Sequence, residues 1–172
     1  FLPLLFPGTT KSTKETSLDE KAALLETLKK EAQQNNDKDV EIILFDDCST
    51  DNSIKIIKKF KKIKLIINKF EKKKTGPLNQ IQGIIECFKK SKGNIICLLD
   101  GDDFFQKNKL KKIDHFFKNN KKLNCVFDIP INNKAQFNFK NKSKNYSIWP
   151  TIFPTSSISL RKNFFKIFLK NI

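Results

Sequence analysis

The feature that most constrains this chain is an apolar run of strand length that stops on three carboxylates: Asn94-Ile95-Ile96-Cys97-Leu98-Leu99-Asp100-Gly101-Asp102-Asp103. A run without polar alternation suits a strand covered on both faces, which asks for a parallel sheet with helices on either side. Acids packed this closely repel one another, and a hard divalent cation taking oxygen ligands is the usual agent that offsets them. Gly101 has no Cβ, so a sharp turn there would let Asp100 and Asp102 converge. In open α/β sheets ligands bind outside the carboxyl ends of the strands, where these acids would sit. A solvated acidic turn is the competing reading. A second acidic strand end, Asp46-Asp47, favours a site.

The rest of the chain supplies the alternation such a sheet needs. Strand-like segments over residues 1–6, 40–45, 63–67, 94–99 and 123–127 are separated by helical periodicity. Ser17-Leu18-Asp19-Glu20 is a capping box ahead of a helix reaching about residue 34, with Leu18, Ala22, Leu25 and Leu28 on one face. Ile54, Ile57 and Phe60 mark a second helix after the hydroxyl-rich turn 48–53. Leu78, Ile81, Ile85 and Phe88 mark a third, which Gly93 is placed to end. Leu110, Ile113 and Phe117 mark a fourth, and residues 161–172 form a basic amphipathic helix carrying Phe164, Phe165, Ile167 and Phe168. Residues 129–146 are polar and expected as loop or hairpin. The expectation is one α/β domain over residues 1–172, a mostly parallel sheet flanked by helices.

Charge is less informative than its size suggests. The chain carries a net +16, but 33 of its 34 basic residues are lysine, alongside abundant Asn, Ile and Phe. Nucleic-acid sites favour arginine for bidentate and stacked contacts, so solvated lysine is the preferred reading and no specific nucleic-acid partner is expected. Cys48, Cys87, Cys97 and Cys125 show no Cys-x-x-Cys spacing, which points to free thiols in a reducing compartment. The lone His115 cannot build a histidine metal site. No apolar run approaches membrane-spanning length and no signal peptide is evident. With Phe1 first and no methionine, a portion of a longer product is expected.

At this point the chain resembles the family-2 glycosyltransferases of the GT-A fold. The resemblance rests on Val40-Glu41-Ile42-Ile43-Leu44-Phe45-Asp46-Asp47-Cys48-Ser49-Thr50-Asp51-Asn52-Ser53 and on Leu98-Leu99-Asp100-Gly101-Asp102-Asp103. It implies a Rossmann-like nucleotide-binding half over residues 1–103 and the start of an acceptor-side half over 104–172, cut short at the C-terminus. It implies a nucleotide-sugar donor, with uridine the expected base, and Mg²⁺ or Mn²⁺ as cofactor. Asp46 and Asp47 would bind the nucleotide, with Asp47 accepting a hydrogen bond from the base; Asp100 would lie toward the ribose, and Asp102 would hold the metal. Asp103 would support that site or cap the next turn. Pro7 matches the proline ending the family's first strand, Gly76 and Asn79 fall at a helix start near the nucleotide, and Lys74 would offset phosphate charge. Ser156 and Ser157 lie where the family approaches the donor sugar. The acceptor implied is a glycan or lipid-linked hydroxyl, the location cytoplasmic, with peripheral contact at the inner face of the membrane open to the last helix.

Two departures stand out. Pro7-Gly8-Thr9-Thr10 replaces the family's short Pro-x-x-Asn turn, and the family's general base belongs to an acidic motif expected beyond residue 172; Asp114 and Asp128 sit in no matching context. Two rivals remain: a receiver-type phosphoacceptor domain, which also gathers acids around Mg²⁺, and a lysine-rich nucleic-acid-binding module.

Overall fold

The computed structural model describes residues 2–6, 26, 40–69, 76–101, 103–128 and 155–170. Within them the strands are β1 (Leu2–Phe6), β2 (Val40–Asp46), β3 (Ile63–Ile67), β4 (Ile95–Leu98), β5 (Cys125–Phe127) and β6 (Ile158–Arg161). The helices are α1 (Ser53–Ile57), α2 (Gly76–Lys90), α3 (Lys109–Asn119) and α4 (Lys162–Leu169), and a 3₁₀ turn spans Thr155–Ser157. The strands form one sheet in the order β3-β2-β1-β4-β6-β5. β1 to β4 run parallel; β6 is antiparallel to both β4 and β5.

This order decides where a ligand can bind. The chain steps outward from β1 to β3 and then crosses back to place β4 on the other side of β1. The switch point of the sheet therefore lies between β1 and β4, and its crevice opens at their carboxyl ends. A receiver domain is excluded by the same observation, since that fold is parallel in the order 2-1-3-4-5.

Both faces of the sheet are covered, which is why β2 and β4 read as unbroken apolar runs. Successive side chains point to opposite faces. Ile42, Ile95, Cys97 and Leu99 pack with Phe105 and with Leu110, Ile113 and Phe117 of α3. Ile43, Phe45, Ile96 and Leu98 pack on the other side with Cys87 of α2, Leu160 of β6 and Phe165 of α4. Each such side chain contributes about 1.5–3 kcal/mol by leaving water.

Several local expectations change. α2 turns its Gly83 and Cys87 inward, with Ile84 and Phe88 at the margin, while Leu78 and Ile81 are exposed. The stripe was misjudged because Gly83 offers no apolar signal, yet it marks the closest approach: a Cβ there would lie 2.8 Å from Cδ1 of Phe45. Gly93 does not end α2 in a left-handed conformation, as no described glycine has positive φ. The helix stops at Lys90, where the Ser91 hydroxyl donates to Phe88 O at 2.8 Å and Glu41 Oε1 accepts the amides of Lys92 and Gly93. α1 ends at Ile57, short of Phe60. Residues 158–161, with Arg161 expected in a helix, instead form β6; the guanidinium donates to Leu123 O at 2.7 Å and to Phe117 O at 2.8 Å, closing the end of α3. The sole arginine is thus structural. Among the described residues no helix is long and apolar enough to cross a membrane. The expected helix over 18–34 lies outside the described residues except at Glu26, which is helical, and the loop expected over 129–146 lies wholly outside them.

Candidate functional site

Register puts the two acidic strand ends on one rim. Leu5 of β1 is level with Ile43 of β2 and with Leu98 of β4. Asp46 and Asp100 therefore stand three and two residues past the same level, on strands separated only by β1. At ordinary strand spacing that separates them by about 10 Å.

The first end is a tightly held turn. Asp46 is buried, and its Oδ2 accepts the Ser49 amide at 3.0 Å. Between them Cys48 adopts left-handed backbone with φ 59°, uncommon for a residue with a side chain and the kind of strain found at functional turns. Asn68, just past β3, ties the turn to the next strand: its amide N–H donates to Asp46 O at 2.8 Å and its Nδ2 to Asp47 Oδ1 at 2.6 Å. The exposed Cys48 thiol leans on Asn68 O at 3.7 Å. Asp51 Oδ1 accepts the Ser53 amide at 2.8 Å and so opens α1, leaving Asp46 and Asp47 without a capping task.

The second end is held from behind. The Asp103 amide donates to Asp100 O at 3.2 Å, closing the turn, and Gly101 within it has no positive φ. Gln80 Nε2, on the first turns of α2, donates to Asp100 Oδ1 at 2.8 Å and to Thr155 Oγ1 at 3.2 Å. The Asp100 amide donates to Ser156 Oγ at 2.8 Å. Lys109 Nζ lies 2.9 Å from Oδ2 of Asp128, donates to Ser156 O at 2.7 Å, and sits 4.1 Å from the centre of the Phe105 ring. The Asp128 amide donates to Ser157 O at 3.0 Å. The Thr155–Ser157 turn is thereby fastened to β4, α2 and α3 at once. Deeper on the strand, Ser159 Oγ donates to Cys97 Sγ at 3.4 Å, and burial pushes the Cys97 thiol up to about 11.

Of the residues singled out in sequence, Asp46, Asp47, Asp100, Asp103, Ser156 and Ser157 are gathered along this rim. Ser156 and Ser157 are buried; the Ser156 hydroxyl is engaged by the Asp100 backbone, and the Ser157 carbonyl accepts the Asp128 amide. Asn79 lies on α2 next to Gln80. Pro7, Lys74 and Asp102 lie outside the described residues. Two residues escaped sequence reasoning: Asn68 and Gln80. Asn68 carried a usable signal, a polar residue directly past the β3 run; Gln80 had none beyond its place one residue after Asn79. Among the described residues no group of three His, Cys, Asp or Glu side chains could hold a metal ion. The Asp103 carboxylate beside this turn is a hard oxygen donor, and its chemistry fits Mg²⁺ or Mn²⁺, which take one or two carboxylates and fill their remaining positions with water and phosphate.

The model of the family described as glycosyl transferase family 2 matches residues 16–169. No curated protein sequence matches the chain. Among solved structures, S. aureus TarS 1–349 in complex with UDP superposes with a TM-score of 0.68 at 20% identity, covering 96% of this chain and 48% of that one. The same fragment with UDP-GlcNAc gives 0.66 at 19% identity, covering 96% and 46%. A mannosyltransferase, PcManGT from Pyrobaculum calidifontis, in complex with GDP-Man and Mn²⁺ gives 0.56 at 13%, covering 74% and 35%. At such identities the likeness establishes a GT-A fold. The chain spans about half the length of the TarS fragment it matches.

Proposed function

Because this chain belongs to glycosyl transferase family 2, we propose that it binds a nucleoside-diphosphate sugar at the carboxyl rim of its sheet and serves transfer of that sugar to an acceptor hydroxyl with inversion. The observation that carries the reading is that Asp46-Asp47 and Asp100 follow the carboxyl ends of β2 and β4 on the same rim, on either side of β1. Residues 1–103 form the nucleotide half and 104–172 begin the acceptor side.

Each acid has a task suited to its surroundings. Asp47, oriented by Asn68, accepts the N–H of the base; an ionised carboxylate only accepts, which suits the imide of uracil. Asp46 borders the nucleotide beside Asp47 and holds the strained turn in place through the Ser49 amide. Asp100 faces the ribose, and Asp102 with Asp103 supplies carboxylate oxygen beside the diphosphate. Pro7 borders the base, Asn79 lies near the nucleotide, and Lys74 offsets phosphate charge. Ser156 and Ser157 set the wall toward the donor sugar. Mg²⁺ or Mn²⁺, when bound, stabilises charge on the departing nucleotide as a Lewis acid. The TarS complexes with UDP and UDP-GlcNAc support uridine, and the PcManGT complex with GDP-Man and Mn²⁺ supports a divalent ion. The acceptor is a glycan or lipid-linked hydroxyl; exposed Phe164, Ile167 and Phe168 beside Lys166 and Lys170 suit peripheral contact with an anionic bilayer.

Calorimetric titration of UDP tests this reading. Binding is expected in Mn²⁺, to weaken at least tenfold in Asp102→Ala, and to fade in chelator. Equal affinity with and without metal, or no binding, would overturn it.

A further inference from the structure

The assignment of Asp100 to the nucleotide leaves open what aims its carboxylate. A side chain at the mouth of a sheet, half exposed, samples several rotamers unless something fixes it. Gln80 is in place to contribute to this. Its Nε2 is the atom within hydrogen-bond distance of both Asp100 Oδ1 (2.8 Å) and Thr155 Oγ1 (3.2 Å). An ionised carboxylate can only accept, so the amide must present N–H there; the Thr155 oxygen then takes its second proton.

We propose that Gln80 is a positioning residue that aims the Asp100 carboxylate for the nucleotide and locks it to the Thr155–Ser157 turn. The proposal rests on the reading of Asp100 given above. Its geometry has three supports. α2 is held close to the sheet by Gly83, one turn further on, which brings Gln80 within reach of β4. The Asp100 backbone is fastened to the same turn through Ser156 Oγ, so main chain and side chain of one acid are anchored on adjacent turn residues. The turn itself cannot drift, because Lys109 binds Ser156 O while paired to Asp128. Gln80 thus closes a ring running from β4 through α2 to the turn and back to β4. Groups that orient a ligand-binding carboxylate in this way typically change affinity or activity by about 10–100-fold when removed.

The test is UDP affinity in saturating Mn²⁺, measured by calorimetry on the whole chain for Gln80→Leu, Gln80→Glu, Asp100→Asn and the double variant Gln80→Leu/Asp100→Asn. Gln80→Leu removes the donor at similar size; Gln80→Glu keeps the shape and sets a second carboxylate against Asp100. Both single Gln80 variants are expected to weaken UDP about tenfold, with unfolding temperature in Gln80→Leu close to the parent. In the Asp100→Asn background the Gln80→Leu change should cost nothing further, since the residue it aims has lost its role. If Asp100→Asn weakens UDP while both Gln80 variants bind as the parent does, or if the two losses multiply in the double variant, the positioning role is refuted and the nucleotide reading stands. If Asp100→Asn itself binds UDP unchanged, the nucleotide reading of that acid fails, and the positioning role with it.

Discussion

Gly83→Ala probes the packing on which the site depends. Alanine in a helix interior is ordinarily favoured over glycine by about 1 kcal/mol, so on an exposed turn this change would stabilise. Here the added Cβ would sit 2.8 Å from Cδ1 of Phe45 and 3.3 Å from Cε1 and Cγ, against a favourable carbon–carbon separation of about 3.5–4.0 Å. Phe45 is 1% exposed and shares its cluster with Ile43, Cys87 and Leu98, so its ring has nowhere to retreat. Overpacking of this kind costs about 2–3 kcal/mol. Subtracting the propensity gain leaves a loss of about 1–2 kcal/mol, or roughly 3–6 °C in unfolding temperature for a domain of this size. Calorimetric or circular-dichroism melting reads it directly. Phe45→Leu, which makes room, should return part of the loss in Gly83→Ala/Phe45→Leu relative to the sum of the single changes. An unfolding temperature unchanged or raised in Gly83→Ala would refute the argument that this glycine is required by contact with β2.

Three further predictions concern Arg161 and the thiols. Arg161→Lys keeps the charge but loses the fork that reaches Leu123 O and Phe117 O together; a destabilisation of about 1–3 kcal/mol is expected, with amide exchange near the end of α3 rising most, and unchanged exchange there would contradict it. The thiols should separate cleanly: Cys48 reacts with an alkylating reagent in the folded protein, whereas Cys97 reacts only on unfolding. Because the folded Cys97 thiol titrates near 11 and an unhindered one near 9.0, the folded state holds the proton longer; its contribution to stability is complete below pH 9 and is lost as pH rises toward 11. A Cys97→Ala variant should show a shallower decline in unfolding temperature across that window, and a parallel decline would count against the assignment.

Much of this architecture could be read before any coordinates, for a physical reason: strands buried on both faces leave unbroken apolar runs, and β2 and β4 did so over Ile42–Phe45 and Ile95–Leu99. The acids that end those runs were equally plain, because three charges beside an apolar strand have few structural uses. What stayed hidden was pairing across distance. β6 is built from Ile158-Ser159-Leu160-Arg161, too short and too polar to announce a strand, and it exists because β4 and β5 both offer it partners. The inward face of α2 was misread because it is made by Gly83 and Cys87 rather than by the larger Leu78 and Ile81. Gln80, Thr155 and Asn68 reach the site through partners 20 or more residues away, and no local pattern encodes such meetings. The family resemblance, by contrast, was visible from the two acidic motifs and is met by the family match over residues 16–169.

The most direct test of the central claim is a crystal structure of the chain grown with UDP and Mn²⁺, with anomalous diffraction used to locate manganese. The claim predicts one manganese peak beside the carboxylates that follow β4, with diphosphate oxygens on it and the uracil against Asp47 across the end of β1. Manganese or uracil bound away from that rim, with Asp47 and Asp100 both facing solvent, would contradict it.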